Sequence, residues 1–214
     1  MMKKISGLFL ILAFVLPPVA RAGDMPAPDV LIRNTAQEVL DLVKRDKDLK
    51  AGHQKKVLAL VEAKVLPHFD FVRMTRLTAG RNWRSATPEQ QKQLVDEFRT
   101  LMVRTYTVAF TRYNDQTVEV DPPLMQPGYD DEATVKTRIT KPGAPSISVD
   151  YEMEKTDQGW KVFDLTVEGA SLIATYRNTF SEEIQRSGID GLIKSLADKN
   201  HANASQPLRK ADSR

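Results

Sequence analysis

The chain has 214 residues, 31 Lys+Arg against 28 Asp+Glu, a pI near 9.0 and no cysteine. The missing cysteines exclude thiol catalysis, thiolate metal sites and disulfides, so the fold must rest on its apolar core. Three of the basic residues, Lys3, Lys4 and Arg21, sit in the first 22 positions; without them the count is 28 against 28, and nothing points to a polyanion partner.

Those first positions have the layout of a secretory signal: Lys3 and Lys4, an apolar run from Ile5 to Leu16, then Ala20-Arg21-Ala22 as a small-x-small cleavage site. The run falls short of the roughly 20 apolar residues that a membrane span needs, and Pro17-Pro18 ends it. The expected organisation is a signal peptide over 1–22, one domain over 23–200 and a disordered polar tail over 201–214. A mature chain of about 190 residues suffices for one substantial core.

Helical spacing of Val30, Leu31, Val39, Leu40, Leu42 and Val43 predicts a helix from Pro28 to about Asp48, and a second follows Gly52 with Val57, Leu58, Leu60, Val61, Val65 and Leu66 until Pro67. His68 to Leu77 reads as a short helix. Thr87-Pro88-Glu89-Gln90 is a helix start in which Thr87 and Gln90 can bond each other's backbone N–H. The helix it opens, expected to reach about Tyr113, is apolar over an arc of roughly 200°, twice the ~100° that packing on one partner requires. It must be covered on two sides or face a cavity.

Period-two alternation then predicts four strands: Val118–Val120, Val135–Ile139, Ile147–Met153, and Trp160–Val167 after the turn Asp157-Gln158-Gly159. The fourth is apolar on both faces, with Trp160 and Val162 on one and Phe163, Leu165 and Val167 on the other. A helix with Leu172, Ile173, Tyr176, Phe180 and Ile184 ends at Gly188, and a last one runs from Ile189 to about Lys199. The fold class is α+β: a single domain with N-terminal and C-terminal helices packed on a curved antiparallel sheet of about four strands, enclosing an apolar cavity.

Catalytic constellations are scarce. His53, His68 and His201 share no metal-pair spacing, and no nucleophile elbow or phosphate-binding glycine loop appears. Asp164 and Glu168 are the best acid/base candidates. Glu168, just before a helix, also suits free N–H groups there, and Asp164 suits an ion pair with Arg or Lys. No catalytic or metal residue is assigned. Two readings stay open on the residues alone: a ligand-free adaptor with exposed apolar patches, and a small-molecule enzyme on a cone-shaped α+β fold.

Trp83-Arg84-Ser85-Ala86-Thr87-Pro88-Glu89-Gln90, Trp160-Lys161-Val162-Phe163-Asp164-Leu165, Glu168-Gly169-Ala170-Ser171-Leu172 with Tyr176-Arg177 and Phe180, and Pro67-His68-Phe69-Asp70-Phe71 together resemble the MlaC, or toluene-tolerance, family over about Pro28 to Lys199. Ala170 and Ala79 are smaller than the residues the family commonly has there. The resemblance implies a soluble monomer of the Gram-negative periplasm that uses no cofactor. It would bind glycerophospholipid as cargo and shuttle it between an outer-membrane lipoprotein–porin complex and an inner-membrane ABC transporter with an MCE-domain subunit, maintaining outer-membrane lipid asymmetry. The expected lipid lining is Phe98, Leu101, Met102, Tyr106 and Phe110 from the long helix, Val149, Tyr151, Met153, Leu165 and Val167 from the sheet, and Leu172 and Tyr176 beyond it. Arg84 and Arg177 are expected in structural ion pairs near Asp164 and Glu168.

Overall fold

A computed structural model of the protein describes residues 25–110 and 116–204, so the expected signal segment lies outside the described residues. The architecture is α+β, with five helices, an antiparallel sheet and a final long helix in that order.

Helix α1 spans Pro28–Arg45 and stops one turn earlier than its apolar pattern suggests. Asp46 is extended there, and its Oδ1 accepts from the N–H groups of Asp48 and Leu49 at 2.8 and 3.1 Å, starting the short α2, Lys47–Lys50. A carboxylate that satisfies two free N–H groups makes a better helix start than a helix interior. Helix α3, Gln54–Lys64, leads into a 3-10 turn at Leu66–His68. The expected helix over 68–77 is displaced: Phe69 and Asp70 first run beside the sheet, with Asp70 N–H donating to the Val162 carbonyl at 2.9 Å. Only then does α4, Phe71–Ala79, begin, capped by the Asp70 carboxylate on Arg73 N–H.

After a 3-10 segment, Gly80–Ser85, α5 starts at Pro88 with the reciprocal cap expected of it. Thr87 N–H donates to Gln90 Oε1 at 3.0 Å, and Gln90 N–H donates to Thr87 Oγ1 at 3.2 Å. The helix is described to Phe110; the expected extension toward Tyr113 lies outside the described residues.

The sheet has six strands in the order β1-β3-β4-β5-β6, with β2 also on β3. β1 (Thr117–Val120) and β2 (Leu124–Gln126) pair with successive stretches of β3 (Tyr129–Lys141), forming one interrupted edge. The interruption is Pro122-Pro123, which has no N–H to give the ladder. β4 (Ala144–Thr156), β5 (Gly159–Val167) and the two-residue β6 (Ala170–Ser171) complete it. The four expected strands are present, and β2 and β6 are additional.

One correction concerns β5. Met153 pairs with Val162 while Glu152 pairs with Asp164, so Phe163 is the extra residue of a β-bulge. The bulge resets the alternation: Leu165 joins Trp160 and Val162 in packing on the core, rather than lying opposite them. Phe163 lies on the other face, where the Arg73 guanidinium stacks 3.6 Å above its ring and pairs with the cross-strand neighbours Glu132 and Glu154. These contacts clamp α4 to three strands.

Helix α6, Leu172–Ala204, is two helical segments divided at Gly188, whose φ of 72° and ψ of −177° are non-helical. That left-handed φ is easy for glycine and strained for other residues. Gly191 is required too, because a Cβ there would lie 2.2 Å from Ser187 Oγ. The helix continues past Lys199 to Ala204; residues 205–214 lie outside the described residues.

Two clusters form the main core. Met74, Leu94, Phe98, Leu101, Met102, Leu172, Ile173, Phe180, Leu192 and Leu196 join α4, α5 and both segments of α6. Ile32 of α1 packs with Ala133, Val135, Met153, Trp160 and Val162 on the sheet. A third cluster, Val39, Val43, Leu49, Val57 and Leu60, belongs to α1, α2 and α3 alone.

Asp164 takes the helix-capping role expected of Glu168, and Glu168 serves the sheet instead. Among the described residues Asp164 forms no ion pair: its Oδ1 accepts from Leu165 and Ile173 N–H at 2.8 and 3.1 Å, and its Oδ2 accepts from Ser171 Oγ at 2.6 Å. Ser171 Oγ in turn accepts from Ala174 N–H at 3.0 Å, so the two side chains together cap α6. Glu168 has a φ of 49° and serves the sheet, accepting from Ser148 N–H and, at 3.0 Å, from Ser148 Oγ. Asp164→Ala should therefore lower unfolding free energy by about 1–2 kcal/mol, as loss of a cap does, in urea titration with an unchanged m-value. Glu152 is held above the usual carboxylate range by burial, against a hydrogen bond from Thr134 and with Asp164 and Asp150 nearby. Above that raised pKa the native state holds a charged, desolvated carboxylate, and below it the penalty vanishes. Glu152→Gln should therefore raise Tm at neutral pH, with the gain shrinking as pH falls through the Glu152 titration.

Candidate functional site

The candidate site is a partly open cavity of about 80 Å³ where the α1–α3 unit meets the main core. Val61 of α3 and the following Val65 and Leu66 form one wall, and Phe69 with Phe71 and Met74 of α4 forms the next. Met102, Val103, Tyr106 and Thr107 of α5 face them, with Leu165 of β5 and Leu172 of α6 completing the lining. This is the second apolar side of α5. Its first side packs on α4 and α6, where Phe98 meets the rings of Tyr176 and Phe180 edge-on at 5.3 and 5.1 Å. Phe69 and Phe71, stacked at 5.8 Å, stiffen the α4 wall.

Four of the residues expected to line a lipid site stand in this wall: Met102, Tyr106, Leu165 and Leu172. Phe98, Leu101 and Tyr176 lie behind it, in or against the main core. Val149, Tyr151 and Met153 lie along the sheet away from the cavity, with Met153 and Tyr151 in the cluster under α1, and Val167 ends β5 opposite Val149. The Phe110 side chain lies outside the described residues. The structure adds Val61, Val65, Leu66, Phe69, Phe71, Met74, Val103 and Thr107, for which the sequence carries only the signal of ordinary core periodicity.

Two hydroxyls belong to the lining residues. Tyr106 hydrogen-bonds Tyr176, which also bonds Thr105, and burial pushes the Tyr106 phenol far above its usual range; Tyr176 is raised as well, again chiefly by burial. Thr107 is 1 % exposed, and its Oγ1 has no hydrogen-bond partner among the described residues. Among the described residues there is no group of three or more His, Asp or Glu placed to hold a metal ion, and no helix is long and apolar enough to cross a membrane. Asp164 is occupied in capping α6. No ion pair of Arg84 or Arg177 occurs among the described residues; Arg177 Nε donates to the Leu77 carbonyl at 3.3 Å. The cap at α6 consumes the carboxylate they were expected to meet.

Such a site offers apolar contact and little else. Its described lining presents apolar side chains, which favour a ligand with apolar surface to hide from water. As it stands the space is well below the roughly 300–1,000 Å³ of a typical ligand pocket, so admitting a large apolar ligand requires a wall to move. α3 shares a buried cluster with α1 and α2 and also packs on α5, and its ion pair to α5, Glu62 with Arg99 at 4.0 Å, is solvent-exposed and correspondingly weak. The α4 wall is clamped to the sheet through Arg73 and the Asp70–Val162 bond.

Comparison with known proteins agrees over nearly the whole length. Residues 33–198 match the family model described as MlaC protein. The chain is 26% identical over 207 residues to the toluene tolerance protein ttg2D of Pseudomonas putida, covering 94% of each. It is 22% identical over 203 residues to the intermembrane phospholipid transport system binding protein MlaC of Haemophilus influenzae, covering 94% of this chain and 92% of that one. A solved structure of the phospholipid-binding protein from Ralstonia solanacearum, in complex with a phospholipid, superposes with a TM-score of 0.77 at 35% identity. The match covers 84% of this chain and 100% of that one.

The buried phenol yields a signed expectation. A folded pKa raised above the unfolded value means that stability is intact below the ordinary phenol range and is lost as pH climbs through it, because only the unfolded tyrosine ionises. Tyr106→Phe should flatten the alkaline fall in Tm, and ultraviolet titration of the variant should lose one late-ionising tyrosine.

Proposed function

We infer that this chain, which belongs to the MlaC family, is a phospholipid carrier that holds acyl chains in the cavity between α3, α4 and α5. The observation that carries this reading is the two-sided apolar α5. One side is sealed into the core, and the other faces a seam lined by residues from two separate clusters. The phospholipid complex of the 35% identical Ralstonia protein supports it. Export through the segment 1–22 puts such a carrier in the aqueous space between two membranes. Its exchange partners there would be an outer-membrane lipoprotein–porin complex and an inner-membrane ABC transporter bearing an MCE domain, and the net effect would be maintained outer-membrane asymmetry.

The physics of carriage explains the empty inventory of reactive groups. Hiding about 30 methylenes from water is worth over ~20 kcal/mol at ~0.8 kcal/mol each. A carrier does not need to exceed that figure. It needs apolar walls that match a bilayer closely enough for exchange at a docking partner to be nearly balanced. Met102, Tyr106, Leu165 and Leu172 would touch the chains first. Phe98, Leu101 and Tyr176 would form the rigid backing against which α5 is held while α3 yields.

Native mass spectrometry of the protein purified from its own periplasm tests this reading. The expected spectrum shows phospholipid at one or a few discrete stoichiometries. Val103→Phe, which fills the cavity from α5, should lose that cargo at a Tm equal to or above that of the parent protein. A uniformly lipid-free parent, or undiminished cargo in Val103→Phe, would contradict the assignment.

A further inference from the structure

The cavity-facing stripe of α5 is preceded by a cation. Arg99 lies three and four residues before Met102 and Val103, so it shares their side of the helix one turn, ~5.4 Å, earlier. Its neighbours on the other two walls belong to the same border. The guanidinium is 5.9 Å from the centroid of the Phe71 ring, and the acidic partner Glu62 directly follows Val61 in α3. Phe71, Val61 and Val103 all line the cavity, and Phe71 and Val103 are only half-buried. Arg99, with its side chain 41 % exposed, stands at the rim. It is held loosely there. Glu62 approaches only to 4.0 Å, and the ring contact is near the ~6 Å limit of a cation–π attraction. Arg73 is the opposite case: it lies 3.6 Å above Phe163 and pairs with both Glu132 and Glu154. One arginine builds the fold, and the other has donors to offer.

We propose that Arg99 is the headgroup clamp of the carrier: it leaves Glu62 and pairs with the phosphate of a bound lipid whose acyl chains fill the cavity. The proposal rests on the phospholipid-carrier reading and adds the residue that reads the headgroup. Apolar walls grip any lipid with the same chains, so they cannot tell a phospholipid from a neutral diacylglycerol. A phosphate is too costly to desolvate among those walls and must stay outside them. Its reader therefore belongs at the rim, within reach of both the lining and water. Arginine suits the task, because its planar fork meets two phosphate oxygens at once. Glu62 gives the clamp a resting partner weak enough to be displaced. The two residues thus have opposite effects on a bound anion: Arg99 attracts it, and Glu62 competes with it. Free inorganic phosphate has the same anionic chemistry but no chains to hold it at the rim.

The test is a competition read by native mass spectrometry, with delipidated full-length mature protein offered vesicles holding equal amounts of phosphatidylglycerol and diacylglycerol of matched chains. The parent protein should prefer phosphatidylglycerol. Arg99→Gln should cut that preference about three- to tenfold, the range of one charge-assisted contact at a part-exposed site, while still loading both lipids. Glu62→Gln should raise the preference, because it removes the competing anion. A pair that served structure alone would move the preference in the same direction in both variants, or in neither. Excess inorganic phosphate during loading should leave the parent's preference in place; its loss would make free phosphate the ligand and overturn the clamp. Equal uptake of the two lipids by the parent, an unchanged preference in either variant, or a fall in Glu62→Gln would also overturn it and leave the carrier reading standing. Failure of Arg99→Gln to load either lipid would overturn it too, since a clamp sets the choice and not the capacity. Uptake of neither lipid by the parent would overturn the carrier reading itself.

Discussion

Everything in this molecule that concerns ligand binding depends on one constraint: α5 is apolar around too much of its circumference to be satisfied by a single neighbour. The reciprocal cap at Thr87 and Gln90 fixes where the helix begins, and so which side chains face which way. Phe98 and its neighbours are driven into the core against α4 and α6, where the edge-on contacts with Tyr176 and Phe180 hold them. Met102, Val103, Tyr106 and Thr107 remain on the flank and meet α3 across the cavity. Because α3 has its own core with α1 and α2, that second contact is a seam between two packed units rather than a continuous interior.

Most of the elements were legible in the sequence because each carries a local signal. The Thr87 cap, the four alternating strands and the break at Gly188 all follow from side chains within a few residues of one another. What was not legible depends on events that local patterns do not record. The bulge at Phe163 moves Leu165 to the core face, and only the pairing of β4 with β5 reveals it. Asp46 ends α1 because its carboxylate finds two N–H groups, although the apolar spacing continues. β2 was hidden by Pro122-Pro123, since an edge strand can resume on the same partner after a gap that propensity reads as an ending. Asp164 rather than Glu168 supports the α6 cap because of Ser171: once that serine is the first cap of α6, the carboxylate placed to support it is Asp164.

The cavity was the least legible feature, for a physical reason. Val61, Val65, Leu66, Phe69 and Phe71 have the spacing of core residues, and a residue beside an internal space has the same composition as one packed solid. The arc of α5 implied a second partner, but it did not say that the segment from α3 to α4 would supply it. The polar groups near the site are likewise spent on structure. Asp164 caps a helix, Glu168 holds Ser148, Arg73 ties α4 to β3 and β4, and Tyr106 bonds Tyr176. This division leaves α4 tied to the sheet through Arg73.

The proposed carriage has a mechanical consequence: loading should separate α3 from α5. The absence of native cysteine allows spin labels to be placed without ambiguity at Glu62→Cys and Arg99→Cys, the exposed pair that spans the seam. Double electron–electron resonance between them measures the opening directly. The account predicts that the distance distribution shifts to longer values when phospholipid is bound, and returns on delipidation. An unchanged distribution in protein shown by mass spectrometry to be fully loaded would contradict it.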